Sequence, residues 1–394
     1  MRALIVHNLY QHAGGEDAVV RDEIALLERN KVEVELYQRN NAEIQAMPRM
    51  GLAAQTIWSP RTVREISELI DRFKPDVVHA HNTFPLISPS LYSVVARYGL
   101  PMVQTLHNFR LFCVQAMFLR EGRVCEDCVG SLPWRGIIRR CYRGSAAQSA
   151  VAVGMLAVHR ALGTYNRRVT RYIALNQFCR DKFVFAGLPP DRISIKPNFI
   201  DLPPPDLMRP RSGALFVGRL SPEKGVSILV AAAASEQLGQ IDVIGTGPQE
   251  ADLRPAPGIR LLGWREPAET YERMRAAACL VMPSLWYENF PRTLVEAYAC
   301  GLPVIASRLG AMETLVRDYE TGLLFNPGDA QDLASKLKWA ELHPDEMRRM
   351  GLAARAEYEA CYTSKINFSI LMGIYRESIE AYFREITPAL QQGG

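Results

Sequence analysis

The sequence has no long apolar run, which bears on how the chain can meet a membrane. Its nearest approach to one, Ala146 to Val158, is interrupted by Gln148 and Ser149 and is shorter than the roughly eighteen residues of a membrane span. The segment Met1 to His7 predicts a β-strand, and no pattern typical of a signal peptide follows it. We therefore expect a cytoplasmic chain, with any membrane contact peripheral, at the inner face of the cell membrane.

Several short patterns with well-defined chemistry are also missing. The sequence contains no Walker A phosphate loop, no Gly-x-Ser-x-Gly nucleophile elbow and no His-Glu-x2-His metal motif. It also lacks an Asp-x-Asp pair of the kind that anchors a metal-bound diphosphate. Protein cations and helix amides would then have to neutralise any bound diphosphate, so no divalent ion is expected as a cofactor.

Length and composition indicate a folded protein of two domains. A chain of 394 residues exceeds what one hydrophobic core usually organises. Its 48% hydrophobic and 22% charged residues are ordinary for a folded protein, and a net charge of +4 indicates no particular partner. However, residues 129–180 contain nine arginines and no Asp or Glu. This basic stretch is either a solvated surface or a site for an anionic lipid, a membrane or an acidic substrate.

Short β-rich runs alternate with helical periodicity along the chain. Strands are predicted near residues 2–7, 77–80, 102–106, 171–175, 214–217, 241–244, 279–282 and 303–306. Such alternation indicates an α/β protein with parallel sheets covered by helices. In doubly wound domains of this kind, the chemistry is expected where the carboxyl ends of the strands meet, in a cleft between the domains.

The predicted domain boundary lies in a proline-rich segment between Lys196 and Gly213, because its five prolines prevent regular structure. We expect a first domain over residues 1–198 and a second over residues 199–363. A long amphipathic helix is predicted within residues 364–394, after the second sheet has ended.

Two carboxylates, Glu288 and Glu296, stand eight residues apart in the most informative segment of the chain. Pro291 suits a first helical position, so a helix is predicted over about residues 291–300. Glu288 then lies in the loop before the helix, whereas Thr293 and Glu296 share one helical face. The free N–H groups at the start of such a helix form an arrangement that holds a phosphate.

A strand and glycine turn precede this segment in the run from Ala214 to Gly225. The loop after the strand carries Gly218, Arg219 and Lys224. Two cations beside a glycine turn at the carboxyl end of a strand suit a diphosphate, with Arg forming paired bonds and Lys acting as a point charge. The alternative is a pair of solvated loop cations.

Two further glycine pairs follow predicted strands. Gly245 and Gly247 occur in a turn after the strand at 241–244, but Glu250 leaves the dinucleotide fingerprint incomplete. Gly14 and Gly15 follow the first strand and precede a helical stretch, so they can approach a phosphate or sugar. A plain turn without ligand is the alternative for each pair.

Three histidines lie on or after predicted strands. His79 and His81 alternate on one strand and point the same way, which is compatible with a metal. Since no carboxylate accompanies them in the sequence, structural hydrogen bonding is the preferred interpretation. His107 ends the strand at 102–106 on its carboxyl side and is the stronger functional candidate.

Four cysteines occur close together as Cys113, Cys125, Cys128 and Cys141. The Cys-x2-Cys pair has the spacing of a metal-binding knuckle, and four thiolates complete a closed tetrahedral zinc site. A structural zinc is therefore predicted. Four reduced structural cysteines, or an iron–sulfur or redox role, are the alternatives, and disulfides are disfavoured in a cytoplasmic chain.

With these residues in view, the chain resembles the retaining glycosyltransferases of family four, also called glycosyl transferases group 1. Their GT-B architecture has two facing Rossmann-like domains with an interdomain cleft. The matching segments, in order along the chain, are Gly14–Gly15, Asp76–His81, Thr105–His107, Lys196–Asp201, Gly218–Gly225, Gly245–Pro248 and Glu288-x7-Glu296. The region of the four cysteines resembles a subgroup with an inserted cysteine motif.

The resemblance implies a role for each main candidate. Arg219 and Lys224 would hold the diphosphate of a nucleotide sugar, Glu296 would bind the ribose, Glu288 would face the transferred sugar, and His107 would lie by the reacting centre. The final helix would cross back to the first domain. The other candidate donor-binding residues are Gly14, Gly15, Gly218, Gly245, Gly247, Asn289, Phe290, Thr293 and Leu294.

Two departures from the family pattern stand out. Family members commonly have Gly at the position of Pro291, so a backbone donor to the ligand is missing here. The usual Gly-His near the end of the first helix is replaced by Asn30-Lys31, which bears on the turn rather than on catalysis.

The resemblance implies sugar transfer, with retention of configuration, from a nucleoside-diphosphate sugar to a glycan or lipid-linked acceptor in cell-surface polysaccharide or glycoconjugate synthesis. A nucleotide-sugar epimerase or hydrolase with the same fold is an alternative. A zinc-dependent nucleic-acid-binding protein, using the cysteines and the basic stretch, is a third. That third interpretation leaves both carboxylates and the two loop cations without a purpose.

Overall fold

The structure is a computed structural model that describes residues 1–11, 14–235, 238–253 and 256–391, with side chains as far as Arg384. The strands are Arg2–Leu9 (β1), Glu33–Asn40 (β2), Val77–Ala80 (β3), Met102–Thr105 (β4), Leu119–Arg120 (β5), Arg123–Val124 (β6), Arg171–Ala174 (β7), Ile193–Ile195 (β8), Ala214–Val217 (β9), Ile241–Ile244 (β10), Ile259–Gly263 (β11), Cys279–Met282 (β12), Val304–Ser307 (β13) and Gly322–Phe325 (β14).

The α-helices are Gly15–Arg29 (α1), Arg49–Ile57 (α2), Pro60–Phe73 (α3), Ser90–Arg97 (α4), Arg135–Ile138 (α5), Ala146–Ala161 (α6), Thr164–Arg167 (α7), Gln177–Phe185 (α8), Val226–Ser235 (α9), Glu250–Leu253 (α10), Pro267–Ala276 (α11), Arg292–Ala299 (α12), Ala311–Leu315 (α13), Ala330–Leu342 (α14), Pro344–Cys361 (α15) and Ser364–Gln391 (α16). Short 3₁₀ helices occur at Asn41–Ala46, Pro190–Arg192 and Pro222–Lys224.

The chain forms two compact units. The first contains residues 1–117, 126–197 and 367–394, and the second contains residues 118–125 and 198–366. The main passage between them, after Pro197, falls inside the proline-rich segment predicted as a linker.

The small β5–β6 hairpin differs from the prediction, which placed the whole cysteine region, residues 113–141, in the first domain. The hairpin lies in the second unit. Its two-residue strands pair only with each other, and the ring of Phe118 contacts the ring of Tyr287 with centroids 6.4 Å apart. This aromatic contact ties the hairpin to the second unit.

The first unit is built on a six-stranded parallel sheet in the order β2-β1-β3-β4-β7-β8. One face is covered by α16, whose Leu371 and Tyr375 pack in a buried cluster with Ile5, Val77 and Val103. The strand order reverses direction between β1 and β3. Ligands of open α/β sheets usually bind beside such a reversal, at the carboxyl ends of the strands.

The second unit contains another six-stranded parallel sheet, in the order β11-β10-β9-β12-β13-β14. This is the doubly wound Rossmann order, with its reversal between β9 and β12. Leu229 of α9 and Leu333 of α14 pack on the sheet with Phe216 and Ile305, forming the core. The loops after β9 and β12 are therefore the expected ligand-binding positions of this unit.

All eight predicted strands are present, within about two residues of their expected bounds. Four strands of the two main sheets, β2, β8, β11 and β14, were not predicted, and each is the edge strand of its sheet. β2, β8 and β11 are partly exposed, so their sequences carry a weaker apolar signal, whereas β14 is buried and is only four residues long. Among the helices in the described ranges, none is long and apolar enough to cross a bilayer.

Candidate functional site

Two loops meet at the strand reversal of the second unit. The loop after β9 contains residues 218–225, and the loop after β12 contains residues 283–291. They are joined by a backbone hydrogen bond in which the amide of Leu285 donates to the carbonyl of Glu223 at 2.9 Å. This contact places side chains that are more than 60 residues apart in sequence at one position of the fold.

Close backbone packing explains the glycines of these turns. Gly225 has a φ of +72°, and a Cβ there would lie 1.8 Å from the carbonyl oxygen of Pro283. Gly245 has a φ of +145°, and its Cβ would lie 1.9 Å from the carbonyl oxygen of Gly218. A Cβ on Gly247 would lie 2.3 Å from a carbonyl oxygen of the loop after β9. Larger residues would force these loops apart.

Lys224 and Glu288, which were predicted to act on different parts of a ligand, form an ion pair. The Lys224 Nζ lies 2.7 Å from Oε1 of Glu288, and the hydroxyl of Ser284 donates to the same oxygen at 2.7 Å. The Lys224 ammonium also lies 5.5 Å from the centroid of the Trp286 ring. Glu288 is buried and Lys224 is partly exposed, so the pair presents its cationic end outward.

Glu296 lies on α12 and has two neighbours that the sequence interpretation missed. Arg292 Nε donates to Oε1 of Glu296 at 3.0 Å, and the Tyr271 hydroxyl lies 3.5 Å from the same oxygen. The i, i+4 spacing of Arg292 and Glu296 was a usable signal, whereas nothing in the sequence connects Tyr271 to them. Both neighbours hold the carboxylate in one orientation.

The start of α12 corrects one detail of the prediction. Pro291 has an extended backbone, with ψ of 125°, and is the residue before the helix, which begins at Arg292. The side chains of Phe290 and Leu294 are buried, and their role in donor binding stays a prediction. The carbonyl of Phe290 accepts a hydrogen bond from the Asn198 amide at 3.1 Å.

The remaining candidates in this unit are Arg219, Asn289 and Thr293. Arg219 is exposed in the loop after β9, and within the described ranges its side chain makes no ion pair or hydrogen bond. Asn289 is buried beside Glu288, and Thr293 is partly exposed on the first turn of α12. Arg219 therefore has the freedom to meet an anion.

Gly14, Gly15 and His107 lie in the first unit, near the carboxyl ends of its strands. Gly14 precedes α1, and its amide donates to Oδ2 of Asp17 at 3.0 Å. A Cβ on either glycine would meet nothing within 4 Å. Steric crowding in the described structure therefore does not require these glycines.

His107 belongs to a cluster of buried polar side chains beside the first sheet. Its Nε2 lies 2.9 Å from Nδ1 of His81, and the two rings stack with centroids 5.2 Å apart. His79 lies on β3 and His81 directly follows its last residue, and the two rings lie on the same side, as predicted, with centroids 4.3 Å apart. The ring of His107 is thus positioned by contact with the ring of His81.

A carboxylate does accompany the histidine pair, contrary to the prediction. Oε1 of Glu23, on α1, lies 3.2 Å from Nδ1 of His79 and 3.2 Å from Nε2 of His81. The other oxygen, Oε2, lies 2.7 Å from Nζ of Lys196, which also donates to Oδ1 of Asn367 at 3.2 Å. These contacts span 173 residues of sequence, so spacing along the chain gave no sign of them.

Glu23, His79 and His81 have ligand atoms within 4.8 Å of one another, a grouping compatible with a metal ion. Their other contacts argue against that use. The ammonium of Lys196 already neutralises Glu23, and hydroxyls occupy both ring nitrogens of His79, from Tyr375 and Thr105 at 2.8 Å each. A metal would add positive charge beside a buried ammonium, so the preferred interpretation, structural hydrogen bonding, fits better.

The electrostatics of the cluster favour an ionised Glu23 and a neutral His81. Burial disfavours ionisation of Glu23, but Lys196 and the two histidines more than offset burial and hold the pKa of Glu23 well below its usual range. Burial, together with the neighbouring His79, lowers the pKa of His81 to about 3. His81 is therefore neutral at physiological pH.

The predicted zinc site is not assembled in the described structure. Cys113, Cys128 and Cys141 lie in the first unit, and their sulfurs do not form a group within 4.8 Å of one another. Cys125 lies on the hairpin of the second unit. The donor set is suitable for zinc, and the zinc stays a prediction.

The basic stretch is partly neutralised by acidic residues outside it. Arg139 pairs with Asp127, and Arg171 Nη2 lies 3.2 Å from Oε2 of Glu377. Arg160 donates to the carbonyl of Leu111 at 2.7 Å. The stretch is consequently not a uniform basic surface.

An exposed surface around α5 remains. It combines arginines with large apolar side chains, and Trp134 and Ile138 are 51% and 72% exposed. We call this the α5 surface; its exposed members are Leu132, Trp134, Arg135, Ile138, Arg139, Arg140 and Arg143.

Two family models match the chain. The model described as Glycosyltransferase Family 4 matches residues 13–203, and the model described as Glycosyl transferases group 1 matches residues 211–340. Each of the two units thus contains the greater part of one match.

Curated relatives agree with these models. The chain is 36% identical to a phosphatidyl-myo-inositol mannosyltransferase of Mycobacterium leprae over 42% of its length, and 47% of that relative is covered. It is 29% identical to a D-inositol 3-phosphate glycosyltransferase of Acidothermus cellulolyticus over 64% of its length, covering 57% of the relative. The chain therefore spans about half the length of these relatives.

Solved structures share the architecture. A sucrose-phosphate synthase from Thermosynechococcus elongatus superposes with a TM-score of 0.72 at 19% identity, covering 96% of this chain and 99% of that one. The Anabaena protein HepE in complex with UDP superposes with a TM-score of 0.63 at 19% identity, covering 95% and 99%. These neighbours confirm the predicted GT-B fold with two Rossmann-like domains. The chain is thus similar to glycosyltransferases of family four and of group 1 in sequence, over residues 13–203 and 211–340, and it shares the GT-B fold.

Proposed function

We propose that the protein transfers a hexose, with retention of configuration, from a nucleoside-diphosphate sugar to a glycan or lipid-linked acceptor in cell-surface polysaccharide or glycoconjugate synthesis. The observation that carries this proposal is the Lys224–Glu288 pair at the strand reversal of the second sheet. The structural neighbour HepE, described in complex with UDP and with UDP-glucose, supports a nucleotide-sugar donor.

The geometry supports different roles for the cations and the carboxylate at the reacting bond. When the anomeric C–O bond breaks, its electron pair goes to the departing diphosphate, and positive charge develops on the sugar. Lys224 and the exposed Arg219 would neutralise the diphosphate without a divalent ion. Glu288, held by Ser284 in the described structure, would stabilise the cationic sugar or orient the acceptor.

Retention follows if the acceptor hydroxyl attacks the same face from which the diphosphate leaves. The new bond then joins the acceptor oxygen to the anomeric carbon, and the hydroxyl proton passes to an oxygen of the departing diphosphate. Glu296, oriented by Arg292 and Tyr271, would accept hydrogen bonds from the ribose hydroxyls. Such a contact is made equally before and during bond cleavage.

A donor screen tests the proposal. The purified chain would be incubated with a panel of nucleoside-diphosphate sugars and acceptors, and nucleoside diphosphate release would be measured. The anomeric configuration of the product would be determined from proton NMR couplings. Product with the donor's configuration, formed in the presence of chelator, is expected. An inverted linkage, or a complete loss of activity in chelator that magnesium restores, would contradict the proposed mechanism.

We keep the structural zinc as part of the proposal, because four thiols in this spacing can complete a closed site. Metal analysis of protein purified without chelator or affinity metal should find one zinc per chain. Absence of stoichiometric zinc would reject this part.

Peripheral membrane contact from the cytoplasmic side is proposed at the α5 surface. Trp134 and Ile138 can enter the interface between lipid headgroups and tails, while neighbouring arginines attract anionic lipid by about 1 kcal/mol per well-placed cation. In sedimentation with anionic vesicles, Ile138→Glu should weaken binding, whereas Trp264→Glu, which alters an exposed tryptophan of the second unit, should not. Equal binding to neutral and anionic vesicles at low salt would reject this contact.

A further inference from the structure

The buried cluster beside His107 contains more charge and more histidine than a structural hydrogen-bond network needs. Lys196 and Glu23 are each 1% exposed, and Glu23 contacts both His79 on β3 and His81 directly after it. Burying an ion pair costs free energy that apolar residues in the same place would not. The contacts of Glu23 with His81, and of His81 with His107, determine which ring nitrogens carry protons.

The positions of the protons follow from these contacts. Nε2 of His81 lies 3.2 Å from Oε1 of Glu23, and the same oxygen lies 3.2 Å from Nδ1 of His79. Within the described ranges, no other group accepts a hydrogen bond from Nε2 of His81. An ionised carboxylate oxygen attracts an N–H and repels a nitrogen lone pair. Nε2 of neutral His81 therefore carries the proton, and its Nδ1 has the lone pair.

The contact between His81 and His107 determines the tautomer of His107. Since Nδ1 of His81 is an acceptor, Nε2 of His107, 2.9 Å away, must carry a proton and donate it. A neutral His107 then has its lone pair on Nδ1. A histidine in that tautomer can accept a hydrogen bond from a substrate hydroxyl at Nδ1 but cannot donate one there.

The geometry points to Lys196, Glu23 and His81 as positioning residues that fix His107 as the neutral Nε2–H tautomer, with Nδ1 available to a hydroxyl of the bound sugar or acceptor. The inference rests on the proposed function, because this tautomer matters for catalysis only if His107 meets the substrate. Because Glu23 is ionised, His81 donates its Nε2 proton toward Glu23 and His107 donates its Nε2 proton to His81. Lys196 keeps Glu23 ionised.

The other charged and titratable groups around the cluster fit this assignment. Among the residues that the structure describes, they are His7 on β1, Asp17 on α1, His79 on β3 and Tyr375 on α16. His7 lies 2.8 Å from Asp17, so its own partner is outside the chain of contacts. Burial and His79 lower the pKa of His81, which keeps its Nδ1 lone pair available.

The direct test is the tautomer of His107 in the unaltered chain. Two-bond proton–nitrogen correlation spectra of protein labelled with ¹⁵N-histidine distinguish the two neutral tautomers and the cation. His107→Gln would identify the His107 signals by their loss. A neutral Nε2–H signal from pH 6 to 8 is expected, and an Nδ1–H or cationic His107 would overturn the inference. This measurement does not depend on any activity.

Two substitutions of His81 add a functional readout. Asn places an amide oxygen near the position of Nδ1, so His81→Asn should keep the His107 tautomer and most of kcat. In His81→Leu, His107 should no longer be held in one tautomer, and kcat should fall roughly ten- to a hundredfold. This is the range seen when a hydrogen-bond partner that orients a metal-binding histidine is removed. The KM for the donor should change little, because the proposed contacts to the diphosphate and the ribose are made by residues of the second unit.

Tyr375→Phe is the matched control, because it removes a hydrogen bond from the same cluster but off the path from Lys196 to His107. It should leave the His107 tautomer and kcat unchanged. Equal losses in His81→Asn and His81→Leu, or an unchanged tautomer and rate in His81→Leu, would overturn the inference. If the unaltered chain transfers no sugar in any donor screen, the proposed function fails instead, and the tautomer measurement still decides the proton assignment.

Discussion

Removing the ammonium from the buried Lys196–Glu23 pair should be strongly destabilising. Lys196 Nζ lies 2.7 Å from Glu23 Oε2, and both side chains are 1% exposed. Lys196→Met keeps most of the side-chain volume but leaves the carboxylate without its cation. Breaking a buried pair by removing one partner costs about 3–5 kcal/mol. For a unit of this size, each kcal/mol shifts the Tm by about 2–4 °C, which gives a decrease of about 6–20 °C.

The double variant separates the loss of a contact from the burial of an unpaired charge. Lys196→Met combined with Glu23→Gln removes both charges at nearly constant volume, and replacement of a whole buried pair is often close to neutral. The double variant should therefore recover most of the stability. The partly exposed pair of Lys182 and Glu126, at 2.6 Å, provides a control, and Lys182→Met should cost at most about 1 kcal/mol.

The pH dependence gives an independent check. In the unaltered chain the pKa of Glu23 is depressed, so this group contributes stability above its unfolded pKa and loses it as pH falls through the folded pKa. Without Lys196 the folded pKa of Glu23 should rise, so acid should protonate the carboxylate and reduce the deficit of Lys196→Met.

Thermal and denaturant unfolding, followed by near-ultraviolet circular dichroism at several pH values, measures all of these variants. The reasoning is refuted if Lys196→Met lies within about 1 kcal/mol of the unaltered chain, or if the double variant is as unstable as the single one.

Four further predictions concern the site and its supports. Lys224→Ala should lower kcat/KM by roughly two to four orders of magnitude, a loss of about 3–5 kcal/mol in the transition state, as measured by steady-state kinetics. Glu296→Ala should instead raise the donor KM with kcat nearly preserved, because a ribose contact is made equally in ground and transition states; a fall in kcat alone would contradict this. Gly225→Ala should destabilise the second unit and impair donor binding, since its Cβ would overlap the Pro283 carbonyl; binding calorimetry and melting curves check this. Because burial and His79 hold the pKa of His81 at about 3, protonation of the unfolded chain should lower stability as pH falls below about 6.5, by at most about 1.4 kcal/mol per pH unit from this group. His81→Asn should flatten that slope in unfolding titrations.

The cysteine region shows what sequence spacing leaves open. Cys113, Cys125, Cys128 and Cys141 have the spacing of a zinc site, and spacing records which ligands are available. Spacing does not show which unit the chain between the cysteines packs against. Here Phe118, next to the β5–β6 hairpin, contacts Tyr287, and the hairpin belongs to the second unit.

The sequence by itself determined the central strands and the loops that carry Lys224 and Glu288. Central strands of a parallel sheet are buried on both faces, so their apolar runs are visible without any tertiary information. The edge strand β2, with Glu33, Glu35 and Arg39, gave no such signal, because half of its surface faces solvent. A residue's place after a buried strand is likewise a local property, which explains why these loops could be located.

Only the tertiary structure decided which polar groups meet. Lys224 reaches Glu288 across 64 residues, Glu23 reaches Lys196 across 173, and His79 reaches Tyr375 across 296. Ion pairs and buried hydrogen bonds depend on distances of a few ångströms between segments that the sheet order brings together. The apolar pattern sets the positions of the strands and helices, and those positions determine which polar groups are near each other. Because an unpaired buried charge is costly, the charged groups among them are found in pairs.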